Sequence, residues 1–134
     1  MSINIEWKKV KDFHMAFHHP VANIPALMAP DRVEKRYKWM MEEVDEFLES
    51  NTLEDQADAM IDLIYFALGT LVELGIKPER MFEIVHQANM SKLGESGKPN
   101  FNEDGKVIKP TTWESPEPKL KEEIQTQIRK ANNA

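Results

Sequence analysis

One segment of the chain, from Trp39 to Ile76, carries ten acidic residues and no lysine, arginine or histidine. Two of these acids, Asp58 and Asp62, lie in a stretch that is otherwise almost entirely apolar. A buried carboxylate is costly unless it is neutralised, paired or bound to a metal. Because the segment supplies no local counter-charge, we expect two acid-bearing helices to face each other and hold hard divalent cations between them.

The composition is that of a single globular domain spanning residues 1–134, since 134 residues with 41% hydrophobic content suffice for a modest core. The net charge of -6 argues against duplex nucleic acid as a partner, because phosphate contacts require a basic footprint. The chain has no cysteine, which excludes disulfides and thiolate metal sites. No apolar run is long enough to span a membrane, so we expect no membrane partner and a cytoplasmic location.

Hydrophobic spacing and capping residues predict an all-α bundle of four to five helices with a loop or small hairpin before the last one. Asp31 is predicted to cap the second helix, with Glu34 completing a capping box, and Gly75 to end the third. The hairpin is predicted around residues 103–105. The predicted helices run from about Glu6 to His18, from Asp31 to Ser50, from Asn51 or Thr52 to Leu74, from Pro78 to Gly94 and from Glu117 to Lys130.

Two helices show patterns that bear on assembly. The second has an apolar stripe at helical spacing, and the third is apolar on nearly every side. A domain of this size cannot easily bury such a helix alone, so we expect a homodimer or homotetramer. Gly69 is expected to let another helix approach closely. The stripe of the second helix consists of Val33, Tyr37, Met40, Val44, Phe47 and Leu48.

The acids have the spacing of metal ligands on helices. Glu43 and Glu46 are three residues apart, and Asp58 and Asp62 are four apart, so each pair projects to a common side. Carboxylate oxygens suit Mg²⁺ or Mn²⁺. Two alternatives remain open: a solvated helix face for the glutamates and pairing with distant basic residues for the aspartates. His14 and His18 could form a transition-metal pair, but satisfied core or surface histidines are the commoner case.

Several segments together resemble the all-α nucleoside triphosphate pyrophosphohydrolases of the MazG and phosphoribosyl-ATP pyrophosphohydrolase-like superfamily. The resemblance covers roughly residues 14–125. It rests on Glu42-Glu43-x-x-Glu46, on Ala57-Asp58-Ala59-Met60-Ile61-Asp62, on Gly69-Thr70, on Val85 to Lys92, on Asp104 to Pro110, and on His18-His19-Pro20-Val21.

The resemblance implies a Mg²⁺-dependent enzyme that cleaves a (deoxy)nucleoside triphosphate to the monophosphate and pyrophosphate. The superfamily signature is Glu-x-x-Glu followed by Glu-x-x-Asp, and Glu43, Glu46 and Asp62 match three of its four acids. Ala59 stands at the third acid position, three residues before Asp62, and Asp58 is the nearest acid that could replace the missing one as a metal ligand. Glu42, Glu43 and Glu46 are the predicted catalytic acids, with Glu42 a candidate to orient the attacking water.

The resemblance also assigns substrate contacts on the far side of the phosphates. Asn89 and Lys92 match the family's motif at the end of helix four, although Lys92 could equally complement the helix dipole. In the following loop, Trp113 could stack on the base or anchor the loop. The other substrate-binding candidates are Lys106, Lys109 and His18. The rival functions are phosphoribosyl-ATP pyrophosphohydrolase and a non-catalytic helical module that binds nucleotide or metal.

Overall fold

The computed structural model describes Ser2 to Ala134 and contains five α-helices and one two-stranded antiparallel sheet. The predicted all-α class, with a small hairpin before the last helix, is therefore confirmed. The elements are α1 (Ile3–Ala16), α2 (Pro30–Glu49), α3 (Leu53–Leu74), α4 (Pro78–Met90), a 3-10 turn (Ser91–Leu93), β1 (Asn100–Phe101), β2 (Val107–Ile108) and α5 (Glu117–Asn132).

The ends of α3 follow the predicted chemistry. The Thr52 hydroxyl accepts a hydrogen bond from the Asp55 backbone N–H at 3.1 Å, which satisfies one free donor of the first turn. Gly75 ends the helix with a φ of 72°, a conformation that glycine adopts without steric cost. Pro78 opens α4 as predicted, whereas Gly94 ends the 3-10 turn that follows α4 instead of α4 itself.

Three predicted boundaries of the first two helices are wrong. The first helix begins at Ile3, not Glu6, because the Ser2 hydroxyl caps it, and it ends at Ala16 because His18 adopts a left-handed φ of 59°. The second begins at Pro30, with Ala29 as the N-cap. Proline is pre-organised for the first helical position, so Asp31 lies inside the first turn and the predicted capping box does not form.

The packing is centred on α3, which contacts α2 along one side and α1 along another, while α4 contacts α1 and α5. The main buried cluster joins α1 to the C-terminal half of α3 and consists of Trp7, Val10, Leu68 and Val72. The chain between α1 and α2 closes this end of α3, since the Ala26 N–H donates to the Leu74 carbonyl at 3.0 Å. Within Ser2–Ala134, no helix is by itself long and apolar enough to cross a membrane.

The predicted apolar stripe of α2 is not the face that packs against α3. Tyr37 is 58% exposed and Leu48 is 81% exposed, whereas Arg36 is only 3% exposed. Likewise α3 is not buried on every side, because Ile61 is 62% exposed. The α2 stripe and this face of α3 are thus uncovered in the single subunit.

Gly69 allows close approach, as predicted, but the groups that approach it are side chains of the same chain. A Cβ placed there would lie 2.8 Å from Arg36 Nη1 and 2.9 Å from His14 Nε2. The space that glycine leaves is filled by the α2 and α1 side chains, not by a further helix.

Candidate active site

The short connection between α2 and α3 places the two acid-bearing segments side by side. Only residues 50–52 separate the helices, which pack along each other. Glu43 precedes the middle of this connection by eight residues, and Ala59 follows it by eight. Equal distances from a tight helical hairpin bring residues to the same level. The acids of the two motifs therefore meet across the hairpin.

The proximity of these acids is visible in their pKa values. Partial burial, a carboxyl–carboxylate hydrogen bond with Glu46, and the charges of Glu46, Asp62 and Asp58 raise the pKa of Glu43 from 4.5 to about 7. Partial burial and the charges of Asp58 and Glu46 likewise raise the pKa of Asp62. These four residues, Glu43, Glu46, Asp58 and Asp62, are called the acid cluster below. Glu42 is exposed on α2 and does not contribute to either shift.

The acid cluster contains an oxygen without a partner. Glu43 Oε2 is buried and receives no hydrogen bond from the residues described. A buried carboxylate oxygen needs either a proton or a cation, because the loss of its hydration is otherwise uncompensated. A divalent cation would meet this need and would also relieve the repulsion among the four carboxylates. The donor set thus fits Mg²⁺ or Mn²⁺, which prefer oxygen ligands.

The carboxylates are not yet arranged around a single point. Among Ser2–Ala134, no group of three or more acidic or histidine side chains converges closely enough to hold a metal ion. Both Glu46 and Asp58 are exposed. Cation binding by three or more of these carboxylates therefore requires their side chains to rearrange.

The replacement of a signature acid by Ala59 is accompanied by a difference in burial between positions 58 and 59. Ala59 is 1% exposed, whereas the adjacent Asp58 is exposed. Neighbouring positions on an α-helix differ by about 100° in direction. The Asp58 side chain therefore projects in a different direction from an acid at position 59. Asp58 nevertheless lies close enough to raise the pKa of both Glu43 and Asp62.

A second set of polar and charged side chains, mostly buried, lies farther from the α2–α3 connection than the acid cluster and was not predicted from the sequence. Arg32 donates two hydrogen bonds to the Glu73 carboxylate, from Nε at 2.9 Å and from Nη2 at 2.8 Å. Arg36 Nε donates to the same carboxylate, and Arg36 Nη2 lies 3.2 Å from His14 Nε2. His14 Nδ1 lies 2.8 Å from the Pro20 carbonyl oxygen. We call these four side chains the arginine network.

The hydrogen bonds of the arginine network fix its protonation. A carbonyl only accepts and a guanidinium only donates, so His14 carries its proton on Nδ1, and Nε2 accepts from Arg36. Burial and the neighbouring Arg36 charge lower the pKa of His14 despite the bond to Pro20. Burial alone would raise the pKa of Glu73, but the two arginines outweigh it and lower that pKa.

The arginine network decides two alternatives that the sequence left open. His14 is a satisfied core histidine, so it does not pair with His18 in a metal site. The distant bases that reach the acidic segment pair with Glu73, and the ion pairs formed within Ser2–Ala134 do not include Asp58 or Asp62. The four-residue spacing of Arg32 and Arg36, together with an acid at the end of an apolar helix, is the signal that would have predicted this pairing.

A small aromatic cavity lies between the acid cluster and the arginine network. Its volume is about 100 Å³. Trp39, four residues before Glu43, stacks on Phe66, four residues after Asp62, with 6.0 Å between ring centroids. Both Arg32 and Arg36 lie over the Trp39 ring, at 5.4 and 5.1 Å from its centroid. The remaining lining residues are Phe13, His14, His19 and Tyr65.

Three of the predicted substrate-binding residues are brought together beyond α4. The Trp113 indole donates to the Ala88 carbonyl at 2.7 Å, which ties the loop to α4. Lys109 and Lys92 lie 4.5 and 5.8 Å from the centre of the Trp113 ring. Asn89, Lys106 and His18 are exposed. Within the described residues, none of these six side chains hydrogen-bonds to the acid cluster.

Comparison with known proteins places the chain in a family. The profile for phosphoribosyl-ATP pyrophosphohydrolase (PRA-PH) matches residues 10–89, which include the acid cluster and the whole arginine network. The chain belongs to the PRA-PH family. Among solved structures, it is similar to a protein from Exiguobacterium sp. 255-15 that is provisionally assigned as an NTP pyrophosphohydrolase, with 34% identity, 92% of this chain and 96% of that chain covered, and a TM-score of 0.53.

No protein with curated function matches the chain significantly. Membership in the PRA-PH family supports a pyrophosphohydrolase type of function, which is hydrolysis at a phosphoanhydride bond of a nucleotide. The PRA-PH match ends at residue 89, before Lys92 and the hairpin. The structural relative extends over most of the remaining chain.

Proposed function

We propose that the protein is a Mg²⁺-dependent pyrophosphohydrolase that cleaves a (deoxy)nucleoside triphosphate between its α and β phosphates. The products would be the nucleoside monophosphate and pyrophosphate. The observation that carries the proposal is the acid cluster across the α2–α3 hairpin, in which Glu43 has a pKa of about 7 and an unpartnered buried oxygen. Such a cluster is unfavourable in the absence of a cation and supports a metal-binding role.

Glu43, Glu46, Asp58 and Asp62 would hold the Mg²⁺ or Mn²⁺. When bound, the metal would neutralise the triphosphate and supply a water with a lowered pKa. Glu42, adjacent to Glu43 and exposed, would orient that water and accept its proton. The acids would thus act on the substrate from the α2–α3 side.

The positive side chains beyond α4 would bind the phosphates from the opposite side. Lys92 and Lys109 both lie against the Trp113 ring, so the Trp113 anchor holds two ammonium groups near each other. Asn89 and Lys106 would add polar contacts, and His18 would contact the substrate from the end of α1. Trp113 remains the candidate for stacking on the base.

The family profile favours a second candidate. Its description names phosphoribosyl-ATP, an adduct that retains the triphosphate on which the same acids would act. A nucleotide-binding module without activity is the third possibility, because Ala59 removes one acid of the superfamily signature.

The uncovered face supports self-association. Val33, Tyr37, Val44 and Leu48 form a continuous exposed stripe on α2. Exposed apolar stripes of this length mark interaction surfaces. We therefore propose a homodimer or homotetramer that covers this stripe, and sedimentation at micromolar concentration would detect it. A folded, stable monomer at that concentration would contradict the assembly proposal.

A nucleotide panel tests the enzymatic proposal. Release of pyrophosphate should require Mg²⁺ or Mn²⁺ and should be measured on canonical (deoxy)nucleoside triphosphates and on phosphoribosyl-ATP. Hydrolysis of the triphosphates alone identifies the first function, and hydrolysis of the adduct alone identifies the second. Release from neither substrate class, with nucleotide still bound, would leave only the binding module.

Metal binding is measurable without turnover. A cation that binds only the folded state raises its stability, so Mg²⁺ should raise the thermal midpoint of the protein. Asp62→Asn should lose most of this increase. Glu49→Gln, on α2 but outside the acid cluster, is the matched control and should retain it. An equal Mg²⁺ response in all three proteins would refute the site assignment.

A further inference from the structure

The loop that follows the hairpin folds back onto the end of α4. The Trp113 indole N–H donates to the Ala88 carbonyl at 2.7 Å, and the Trp113 backbone N–H donates to the Pro110 carbonyl at 3.0 Å. Pro110 also lies against the end of the 3-10 turn, since a Cβ built on Gly94 would be 3.4 Å from Pro110 Cβ. Two segments on either side of the hairpin are thus held together.

This contact brings two ammonium groups, one from each segment, to a single aromatic ring. Lys109 Nζ lies 4.5 Å and Lys92 Nζ lies 5.8 Å from the centroid of the Trp113 ring. Glu95 and Glu114 are close to these lysines in the sequence, but the ion pairs found within Ser2–Ala134 include neither lysine. Two cations held near each other repel, and a bound anion relieves that repulsion. The lysine pair therefore favours an anion.

The position of Lys109 restricts what the Trp113 ring can contact. Stacked aromatic rings have centroids about 4.5–7 Å apart, so an ammonium 4.5 Å from the centroid occupies the space of a stacked base on that face. The ring is also half-buried and bonded to α4 through its N–H. A lysine ammonium has three N–H donors, and those that point away from the ring can donate to an anion. The ring can therefore hold both lysines while they bind phosphate.

We propose that Trp113 is a positioning residue, which holds Lys92 and Lys109 together so that both donate to the phosphate chain of the substrate. This role rests on the proposed function, since it concerns the triphosphate that the acids cleave. A lysine loses side-chain freedom when it binds an anion, and this loss opposes binding. Trp113 reduces the loss, because both ammonium groups already lie against its ring. The ring thus raises the affinity for phosphates without contacting the base.

Tripolyphosphate, which has three phosphates and no base, separates this role from base stacking. It is titrated into the protein at constant ionic strength, with a chelator and no divalent cation, so that the acid cluster holds no metal. The backbone amide signals of residues 92 and 109 in a proton–nitrogen correlation spectrum should shift and saturate. Trp113→Leu should weaken the affinity about tenfold, because two cation–π contacts are lost. A ring that only stacks on the base predicts no change.

Lysine variants test whether Trp113 acts through the lysine pair. Lys92→Met and Lys109→Met each remove one ammonium and should each weaken tripolyphosphate binding about tenfold, as expected for one hydrogen bond between charged groups. When both lysines are replaced, Trp113→Leu should have no further effect, because the groups that it positions are gone. Lys121→Met makes the same change at an exposed position of α5, outside the loop, and should leave the affinity unchanged.

Trp113→Phe separates the ring from the hydrogen bond to Ala88, because phenylalanine keeps an aromatic face but has no N–H donor. Its affinity for tripolyphosphate should stay within about threefold of that of the wild type. A Phe variant as weak as Trp113→Leu would show that Trp113 only anchors the loop, which overturns the proposal. Unchanged affinity in Trp113→Leu, or no saturation in the wild type, would overturn it as well.

The positioning role and the enzymatic function fail separately in these measurements, because tripolyphosphate binding needs neither metal nor turnover. Pyrophosphate release from a nucleotide, without a saturating response to tripolyphosphate, would refute the positioning role alone. A saturating response that Trp113→Leu weakens, in a protein that hydrolyses no nucleotide, would support the positioning of the lysines and refute the enzymatic function alone.

Discussion

Gly69→Ala tests the packing of the arginine network, because helix propensity and packing predict opposite signs. Propensity alone predicts that alanine stabilises α3 by about 1 kcal/mol. Packing predicts a loss, since the new Cβ would lie 2.8 Å from Arg36 Nη1 and 2.9 Å from His14 Nε2. Arg36 cannot yield freely, because it is bonded to both Glu73 and His14.

The expected magnitude follows from these two contributions. Overpacking of a buried site costs about 1–3 kcal/mol, and a weakened hydrogen bond to a charged group costs about 1.5–3 kcal/mol. After the propensity gain, Gly69→Ala should destabilise the protein by about 1.5–5 kcal/mol. Urea unfolding at fixed protein concentration measures this difference, so that any association does not change between variants.

Two further variants separate the contributions. Ala57→Gly, at an exposed position of the same helix, measures the propensity difference alone and should cost about 1 kcal/mol. In an Arg36→Met background, Gly69→Ala should cost less than it does in the wild type, because the nearest obstructing group is gone. A Gly69→Ala protein that is more stable than the wild type by about 1 kcal/mol would refute the packing argument.

Three other outcomes follow from the same contacts. Because the pKa of His14 is lowered from 6.5 in the folded protein, its stabilising contribution is complete above pH 6.5 and is lost as pH falls through the lowered value. His14→Gln should flatten the dependence of the unfolding free energy on pH below pH 6.5, and an unchanged slope would contradict the lowered pKa of His14. Glu73→Gln leaves the buried Arg36 without its counter-charge and should cost about 3–5 kcal/mol in urea unfolding, whereas the exposed Glu122→Gln should change stability by less than about 0.5 kcal/mol. Trp113→Phe removes the bond to the Ala88 carbonyl and should speed amide exchange in residues 94–116 about fivefold, with no change expected in α3.

Local sequence signals predicted the elements better than their packing. Thr52 and Gly75 mark the ends of α3 correctly because capping depends on nearby backbone groups. The predicted starts of α1 and α2 were wrong because other local signals determine them. Ser2 caps α1 ahead of Glu6, and Pro30 begins α2 ahead of Asp31. The hairpin was located because Gly105, with a φ of 77°, permits its tight turn.

The side of α2 that faces α3 could not be predicted from hydrophobicity. The apolar stripe suggested an inward face, yet Arg36 faces inward and Leu48 outward. The inward arginine depends on Glu73, which is 37 residues away, and on the space beside Gly69. A periodicity argument compares residues within one helix and therefore does not detect a partner on another helix.

The acid motifs predicted that the two acid-bearing helices pack side by side, but not how far their acids are buried. Glu43 and Asp62 do affect each other across the hairpin, as the spacing indicated. The expectation that the apolar neighbours of Asp58 and Asp62 bury these acids is wrong for the subunit, since Asp58 is exposed and Asp62 only partly buried. Apolar neighbours along the sequence do not bury these acids, because the face of α3 that carries them is uncovered in the single chain.

The central claim is that the acid cluster holds the metal for hydrolysis between the α and β phosphates, and phosphorus NMR of the reaction products tests it most directly. With Mg²⁺ and a cleaved triphosphate, the spectrum should show a nucleoside monophosphate and pyrophosphate as primary products. Glu43→Gln should reduce their formation about 100-fold or more, and Glu49→Gln should leave it unchanged. A nucleoside diphosphate with orthophosphate as primary products, or equal rates in both variants, would contradict the account.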